Sequence, residues 1–356
     1  MSMTASTLVP TVRTVPPARI GERFAAWREW LASIQPQALT YDPAWLVVLQ
    51  RALRHAPYAI EAWDGDRLVG WLPLCLVRSL LFGRFLVSMP YLNVGGLLVR
   101  HAAAVAPIVE AAVALAERLD VRYLELRHEQ PVQHGALQVT VTGKVHMRLP
   151  LPCGTDRLWN MLDAKVRNQV RKGQKTGLTV HWGGIALLPE FYAVFSENMR
   201  DLGTPVFGRS LFETILETFA DRAELCVVRL GAQAVAAALL LHGSGTTEVP
   251  SASSLRRYNS TCANMLMYYH LLVRSVERGQ QCFDFGRSSP DSNTYRFKKQ
   301  WGAVPHPAHW QYYVRRGSVG DMRPENGRYQ RWIAVWRKLP VWLTRLIGPP
   351  IVRGIP

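Results

Sequence analysis

Chemically active side chains are concentrated in one late stretch of the chain, residues 282–301. A short apolar strand, Cys282–Phe285, carries a single acid, Asp284, and ends at a glycine that is followed by Arg287. The next segment places Lys298 among aromatic residues. Arginine offers a planar fork of hydrogen-bond donors and lysine a mobile point charge, so the stretch is suited to binding anionic substrates.

Lys298 and Asp284 are the candidate catalytic residues. In one interpretation the ammonium of Lys298, held between two aromatic rings, stabilises the oxyanion or terminal phosphate formed when an amine attacks an ester. In the other it lies along aromatic surface without a chemical role. Asp284 is either the base that takes the proton of the attacking amine or a structural partner of Arg287 or Arg296. The residues predicted to bind substrate are Arg287, Tyr295, Arg296, Phe297, Arg200, Phe207, Arg256 and Asn264.

A second basic region lies on a helix predicted over 156–176. Cations follow one another at helical spacing there, and no acid occurs between Lys165 and Glu190. Such a stripe is typical either of a surface that follows the phosphates of an RNA acceptor stem or a nucleotide-sugar carrier, or of a solvated helix face. The predicted tRNA- or phosphate-binding residues are Lys165, Arg167, Arg171, Lys172 and Lys175.

The composition allows two domains and favours anionic partners. The chain has 356 residues, of which 48% are hydrophobic, and this is long enough for two packed cores. Its 42 Lys and Arg residues against 26 Asp and Glu give a net charge of +16. This excess favours nucleic acid, nucleotide-linked sugars or an anionic membrane face as partners, although a generic basic surface remains open.

The cysteines and the hydropathy pattern predict a cytoplasmic protein. Five scattered cysteines without a CxxC pair indicate neither a disulfide framework nor a zinc site, so no metal is expected. No uncharged apolar run approaches the ~18 residues of a membrane span. The familiar motifs of zinc proteases, serine esterases, NTPases and dinucleotide-dependent enzymes are absent from the sequence.

One stretch of the sequence resembles a known family. The signature of FemAB-like proteins is matched by Phe283–Gly286 and by Thr294, Tyr295, Phe297, Lys298, Trp301 and Gly302. These proteins are relatives of the peptidoglycan-bridge aminoacyltransferases, here of the type found beside exosortase/PEP-CTERM exopolysaccharide genes. The resemblance extends upstream through residues 165–177 and downstream to 339–356. It implies a GNAT-superfamily acyltransferase in which Lys298 of the Phe-Lys pair contributes to the active site.

The order of predicted elements also fits the GNAT fold, twice over. Each half reads as helices, an antiparallel meander, a helix and a strand, at nearly constant spacing along the chain. The predicted fold is therefore α/β with mixed sheets, as two tandem GNAT domains and a C-terminal amphipathic helix. The predicted boundaries are 1–150 for the first domain, 151–315 for the second and 316–356 for a linker and the final helix.

The C-terminal segment has two possible roles. After a polar linker over 315–327, the range 328–356 contains six cations and no acid. A helix of this kind either lies on an anionic membrane or packs back on the first domain. Its predicted apolar stripe consists of Trp332, Trp336, Leu339, Leu343 and Leu346.

Taken together, the sequence predicts a transferase that moves an aminoacyl or acyl group onto an amine of a cell-envelope precursor. The resemblance implies aminoacyl-tRNA as donor and a lipid-linked or nucleotide-linked peptidoglycan or exopolysaccharide intermediate as acceptor, with no bound cofactor. Acyl-CoA is the alternative co-substrate, but the turn over 256–264 lacks the glycines that hold its pyrophosphate. The remaining alternative is a non-catalytic adaptor that binds polyanions or a membrane.

Overall fold

Two mixed β-sheets organise the chain, and each belongs mainly to one half of it. The computed structural model describes residues 10–79, 82–319 and 330–355. The first half contributes β1 (Thr11–Val15), β2 (Ala56–Asp64), β3 (Arg67–Ser79), β4 (Gly83–Val87), β5 (Leu98–Val99), β6 (Tyr123–His128), β7 (Val139–Val141) and β8 (Val145–Pro150). The second half contributes β9 (Leu178–Gly183), β10 (Ala223–Leu230), β11 (Gln233–His242), β12 (Thr246–Ser254), β13 (Cys282–Ser288), β14 (Val304–Pro307) and β15 (His309–Val314).

Helices cover both sheets and lie between them. In the first half they are α1 (Phe24–Ile34), α2 (Ala44–Leu53) and α3 (Val105–Arg118). In the second half they are α4 (Thr155–Met161), α5 (Ala164–Lys175), α6 (Leu188–Leu202), α7 (Arg209–Thr218), α8 (Ala263–Glu277), α9 (Asn293–Lys299), α10 (Gln330–Trp336) and α11 (Val341–Val352).

The two halves exchange one strand each. The first sheet has the order β1-β2-β3-β4-β6-β15-β7, with β5 paired to β3, and the second has the order β14-β8-β13-β12-β11-β10-β9. Thus β15 from the end of the second half lies between β6 and β7, while β8 from the first half lies between β13 and β14. The predicted domain boundary at residue 150 therefore separates the two halves of the sequence, but each sheet contains a strand from the other side of that boundary.

One apolar core is shared by both halves. Helix α2 packs against α7, where the ring of Trp45 lies 5.0 Å from that of Phe219 just after α7, and residues of α1 and α6 belong to the same core. Trp27, Leu46 and Phe191 are fully buried in the same cluster. Burial of aromatic area of this size is a strong apolar contribution to stability, so this core holds the halves together.

Separate cores lie behind each sheet. Helix α3 covers the first sheet, whereas α4, α5 and α8 cover the second. The helix predicted over 156–176 is two helices, α4 and α5, because Leu162 leaves the helix to enter the second core, where it is 3% exposed. The predicted stop at Gly177 is present, with φ of +74°.

The C-terminal helix is also divided. Pro340 separates α10 from α11, because proline lacks the amide donor that a continuous helix needs at this point. The predicted apolar stripe is therefore split: Trp332 and Leu346 are exposed, while Trp336, Leu339 and Leu343 are half-buried. Most of the predicted linker over 315–327, and the first residues of the predicted helix, lie outside the described residues.

Candidate active site

A buried polar cluster lies where the exchanged strand β8 pairs with β13. Asp284 is its centre and is 2% exposed. One carboxylate oxygen, Oδ2, accepts a hydrogen bond from Arg148 Nε at 2.9 Å, and the other, Oδ1, accepts one from the Gly286 amide at 2.7 Å. Arg148 also pairs with Glu129. The arginine partner of Asp284 is therefore Arg148, and neither of the arginines predicted from the sequence.

Electrostatic interactions favour the charged form of Arg148 in spite of its burial. Burial favours the neutral form of Arg148, but the carboxylates of Asp284 and Glu129 outweigh it and raise the pKa of the guanidinium. Paired charges of this kind are stable in an interior only because their hydrogen bonds are satisfied. The cluster therefore fixes the backbone of β13 at the point where the strand is interrupted.

Lys298 of α9 holds the interrupted part of β13 in place. The pairing of β13 with β8 shifts register between Asp284 and Arg287, and Gly286 has φ of +77°. Lys298 Nζ donates to the carbonyl oxygens of Gly286 at 3.0 Å and of Arg287 at 2.9 Å. The Lys298 ammonium was expected between the rings of Phe297 and Trp301. It instead binds these two backbone carbonyl oxygens, because they turn towards α9.

The ammonium of Lys298 keeps one donor free of these two bonds. A lysine has three N–H groups, and two of them face Gly286 and Arg287. The residue is 8% exposed. Burial lowers the pKa of Lys298 to about 8, with Asp284 opposing and Arg287 adding to the shift.

Arg287 points into the seam between the two sheets. Its Nε donates to Asn93 Oδ1 at 3.0 Å, and its guanidinium lies 3.8 Å from the centre of the Trp310 ring. Arg127 lies 4.0 Å from the same ring centre and pairs with Glu125 at 2.6 Å. Burial, followed by the charge of Arg127, lowers the pKa of Arg287. Since Trp310 belongs to the exchanged strand β15, this stack joins the halves.

Glu248 marks the point at which two parallel strands separate. Its backbone is the last that pairs β12 with β13, opposite Asp284. The side chain is 5% exposed, and its Oε2 has no hydrogen-bond partner among the described residues. Burial, with a contribution from Asp284, raises the pKa of Glu248 to about 8. Glu248 was not among the residues predicted from the sequence, although a lone acid within an apolar segment was a usable signal.

A second region with polar character lies at the start of α8. Cys262 precedes the helix in the left-handed conformation, with φ of +59°, and no side chain caps the first turn. Residues 256–261 form one short 3-10 helix in front of it. Arg256 is exposed, whereas Arg257 pairs with Glu197. Asn264 lies half-buried in the first turn of α8.

The basic helix α5 packs directly beside this helix start. A Cβ placed on Gly173 would lie 3.0 Å from Leu266 Cβ, and Thr176 Oγ1 donates to the Thr261 carbonyl oxygen at 3.3 Å. Lys172 and Lys175 lie at the same end of α5 and are exposed. The end of α5 that carries these two exposed lysines and the adjoining start of α8, where a helix N-terminus carries partial positive charge, are together called the α5–α8 surface.

The predicted cations of α5 do not all share this environment. Lys165, Lys172 and Lys175 are exposed and form no ion pair with any described residue. Arg171 lies over Trp159, 5.2 Å from the ring centre. Arg167 instead donates to the Leu162 carbonyl oxygen at 2.9 Å, so it has a structural role at the break between α4 and α5.

The other predicted substrate contacts do not converge on Lys298. Tyr295 and Phe297 pack on the second core, and Arg296 is exposed and donates to the Asp291 carbonyl oxygen at 3.0 Å. They fail to converge because α9 presents its aromatic side to α8. The structure thus brings together only Lys298, Asp284 and Arg287 of the predicted set.

Arg200 lies in the last turn of α6, and Phe207 lies in the loop that joins α6 to α7. Arg200 Nε pairs with Asp201 at 2.6 Å, and its Nη1 donates to the Leu339 carbonyl oxygen at 3.1 Å. The Phe207 ring meets the Tyr91 ring edge-on, 5.3 Å away. Both predicted residues therefore contact the C-terminal segment or the first half.

The comparison with protein families adds an independent finding about the second half. A family model described as an acetyltransferase (GNAT) domain matches residues 162–299, which include α5, α8, the separation of β12 from β13, and Lys298. This region is a GNAT domain. No curated protein matches the chain. The acyltransferase class predicted from the sequence is confirmed for this domain.

Solved structures extend the likeness to most of the chain. FemX matches with a TM-score of 0.62 at 16% identity, over 83% of this chain and 96% of that one. The C-terminal domain of a putative lysylphosphatidylglycerol synthetase from Agrobacterium fabrum matches with 0.56 at 12%, over 84% and 93%. A tandem GNAT protein from the clavulanic acid biosynthesis pathway matches with 0.55 at 15%, over 87% and 100%. At these identities the matches show the fold, and the predicted tandem GNAT architecture is confirmed.

Proposed function

We propose that this protein is an aminoacyltransferase that uses aminoacyl-tRNA to acylate an amine of a cell-envelope precursor. The GNAT domain supports group transfer to an amine. The envelope as the setting is supported by the FemAB-like signature around Lys298 and by the fold shared with FemX and with a putative lysylphosphatidylglycerol synthetase. The acceptor is a lipid-linked or nucleotide-linked peptidoglycan or exopolysaccharide intermediate.

The choice of aminoacyl-tRNA as donor rests on the α5–α8 surface. Its exposed lysines lack ion-pair partners among the described residues, and no side chain caps the adjoining helix start, whose partial positive charge favours an anion. A row of cations along a helix suits a phosphate chain better than a single phosphate group. Acyl-CoA is the less favoured donor because the turn before α8 is a short helix without glycine.

The chemistry needs little beyond positioning and charge. The acceptor amine forms a C–N bond with the ester carbonyl carbon of the donor, and the C–O bond to the ribose breaks. The ribose oxygen leaves as a hydroxyl after taking up the proton that the amine loses. In this proposal the remaining N–H of Lys298 stabilises the oxyanion. Asp284, with both oxygens engaged, positions the strand interruption that orients Lys298. Glu248 in its ionised form is the candidate acceptor of the amine proton.

A transfer assay tests the proposal. Purified full-length protein is incubated with tRNA carrying a radiolabelled amino acid and with lipid-linked precursor, and label in the precursor is measured. The double variant Lys172→Glu with Lys175→Glu is expected to lose about tenfold or more in kcat/KM, mainly through KM for the tRNA, because two phosphate contacts become repulsive. The control is Arg67→Glu with Arg118→Glu, since both arginines are exposed on the first half.

Each other outcome has a meaning for the proposal. Transfer from acyl-CoA while charged tRNA is not consumed would assign a different donor. Absence of transfer from either donor, with retained binding to RNA, would identify a non-catalytic adaptor. Equal losses in the α5 variant and in its control would show that the α5–α8 surface is not the tRNA site.

A further inference from the structure

The C-terminal helices are attached to the second half through one face only. Thr344, Gly348 and Val352 of α11 are buried at successive i, i+4 positions. A Cβ on Gly348 would lie 2.9 Å from the Val206 amide nitrogen, which shows how closely the backbones approach. Arg345 Nε donates to Ser196 Oγ of α6 at 2.8 Å. The inner face of α11 is therefore held against α6 and the loop that follows it.

The outer face exposes large apolar side chains. Trp342 is 66% exposed and Leu346 is 68% exposed, one helical turn apart on α11. Trp332 and Val335 of α10 are 72% and 53% exposed. Nine large apolar side chains are exposed in the part of the chain that the structure describes, and these two short helices hold four of them. Such a concentration marks an interaction surface and is unusual on a surface that faces only water.

The positive charge of residues 330–355 favours an anionic partner. Between residues 330 and 355 there are five cations, Arg331, Arg337, Lys338, Arg345 and Arg353, and no acid. Of these, Arg331, Arg337, Lys338 and Arg345 are exposed beside the apolar side chains. Tryptophan prefers the boundary between headgroups and acyl chains, and nearby cations are attracted to an anionic lipid surface.

From this combination we propose that α10 and α11 dock on the surface of an anionic lipid bilayer, with Trp332, Trp342 and Leu346 inserted among the acyl chains. A second copy of the chain fits less well, because a two-fold contact would bring each cationic segment against its own copy. The proposal is surface docking and not a transmembrane span, since no helix in the described ranges is long and apolar enough to cross a membrane. This inference does not depend on the transferase proposal.

Docking would also place the loop that joins α6 to α7 at the lipid surface. The α6–α7 loop lies beneath α11, where Val206 contacts Gly348 and a Cβ on Gly208 would lie 3.6 Å from Pro349. Phe207 of this loop is one of the residues predicted to bind the acceptor. A lipid-linked acceptor would then reach the GNAT domain without leaving the bilayer, and this step alone rests on the proposed function.

Vesicle flotation tests the docking directly and needs no substrate. The full chain is mixed with vesicles of equal parts phosphatidylglycerol and phosphatidylcholine, or of phosphatidylcholine alone, and bound protein is measured after centrifugation. The wild-type protein is expected to float with the anionic vesicles only. Trp332→Ser with Trp342→Ser is expected to weaken the apparent affinity by about tenfold or more, because two interfacial side chains are lost. Ile185→Ser with Val304→Ser is the matched control, since both residues are exposed elsewhere.

The outcomes separate docking from its alternatives. Loss of binding in the tryptophan variant but not in the control, with unchanged thermal unfolding, supports the proposal. Absence of wild-type flotation with anionic vesicles overturns it. A concentration-dependent dimer that the tryptophan variant abolishes, without vesicle binding, would instead assign the surface to a second copy. Retained transfer from tRNA to a soluble acceptor in a variant that no longer floats would leave the transferase proposal standing.

Discussion

Lys298 combines a structural contact with a donor that is still free for chemistry. Its two bonds to backbone carbonyls hold α9 against the interruption of β13. A lysine that only packed over aromatic surface would not need these bonds. Their presence explains how a buried ammonium is kept in one orientation, which is what stabilisation of an oxyanion requires.

Replacing Lys298 by methionine should separate the two roles. Activity is expected to fall by about hundredfold or more, because the ammonium that stabilises the oxyanion in the proposed mechanism is removed. The free energy of unfolding should fall by at most about 2 kcal/mol, since two carbonyls lose a donor while the cost of burying a charge is relieved. Initial rates and calorimetry measure the two effects. Full activity and unchanged stability in Lys298→Arg would show that any cation at this position is sufficient. Retained activity in Lys298→Met would show that Lys298 takes no part in the reaction.

Glu248 should make stability depend on pH. Its pKa is raised to about 8 from the ordinary 4.5, so the native state holds this proton more tightly than the unfolded state. The contribution is fully present below pH 4.5 and is lost as pH rises to about 8. Glu248→Gln should therefore gain in melting temperature relative to wild type between pH 5 and pH 8. A constant difference over that range would show that Glu248 ionises normally.

At the residue scale, the site residues on β13 and α9 could be predicted from the sequence, but their partner on β8 could not. Asp284, Arg287 and Lys298 lie on one strand and the helix that follows it, so local spacing was enough to group them. Arg148 lies 136 residues before Asp284, and it arrives through an exchanged strand. No local pattern reports such a pairing.

Among the elements, the contact of α5 with α8 determines whether the α5–α8 surface exists. It depends on Gly173, where a Cβ would lie 3.4 Å from the Cys262 carbonyl oxygen and closer still to Leu266. Lysines at this end of α5 can share an anion with the start of α8 only if the two helices stay this close.

Gly173→Val should therefore damage both packing and binding. We expect about 1–3 kcal/mol of lost stability, because a branched side chain is forced between two helices. The affinity for tRNA should weaken at temperatures where the variant is still folded. Melting curves and filter binding measure these changes, with Gly143→Val as the control because Gly143 has open space around it. Unaltered tRNA affinity in a destabilised variant would place the binding site elsewhere.

Most elements were predictable, and the exceptions have physical causes. Helices α1 and α6 follow their apolar periodicity closely, because each buries one continuous face. The break between α4 and α5 was missed because Leu162 continues the helical pattern while its side chain turns into the core. The break at Pro340 was missed because the apolar stripe runs across it, although a proline was a sufficient signal.

For the whole molecule, strand exchange and a shared core predict that the halves unfold together. Calorimetry should show one transition, because neither sheet is complete without a strand from the other half. Fragments 1–150 and 151–356, produced separately, should each lack stable structure; produced together, they should copurify. A cooperatively folded fragment on its own would refute the interdependence of the halves.

The exchange also imposes an order on biosynthesis. A ribosome releases β8 long before β13 and β14, between which it belongs, and the first sheet waits for His309–Val314 to emerge before its gap between β6 and β7 is filled. The nascent polypeptide must therefore carry an open strand edge through most of its translation, and chaperone occupancy during that interval would protect it from pairing with neighbouring chains.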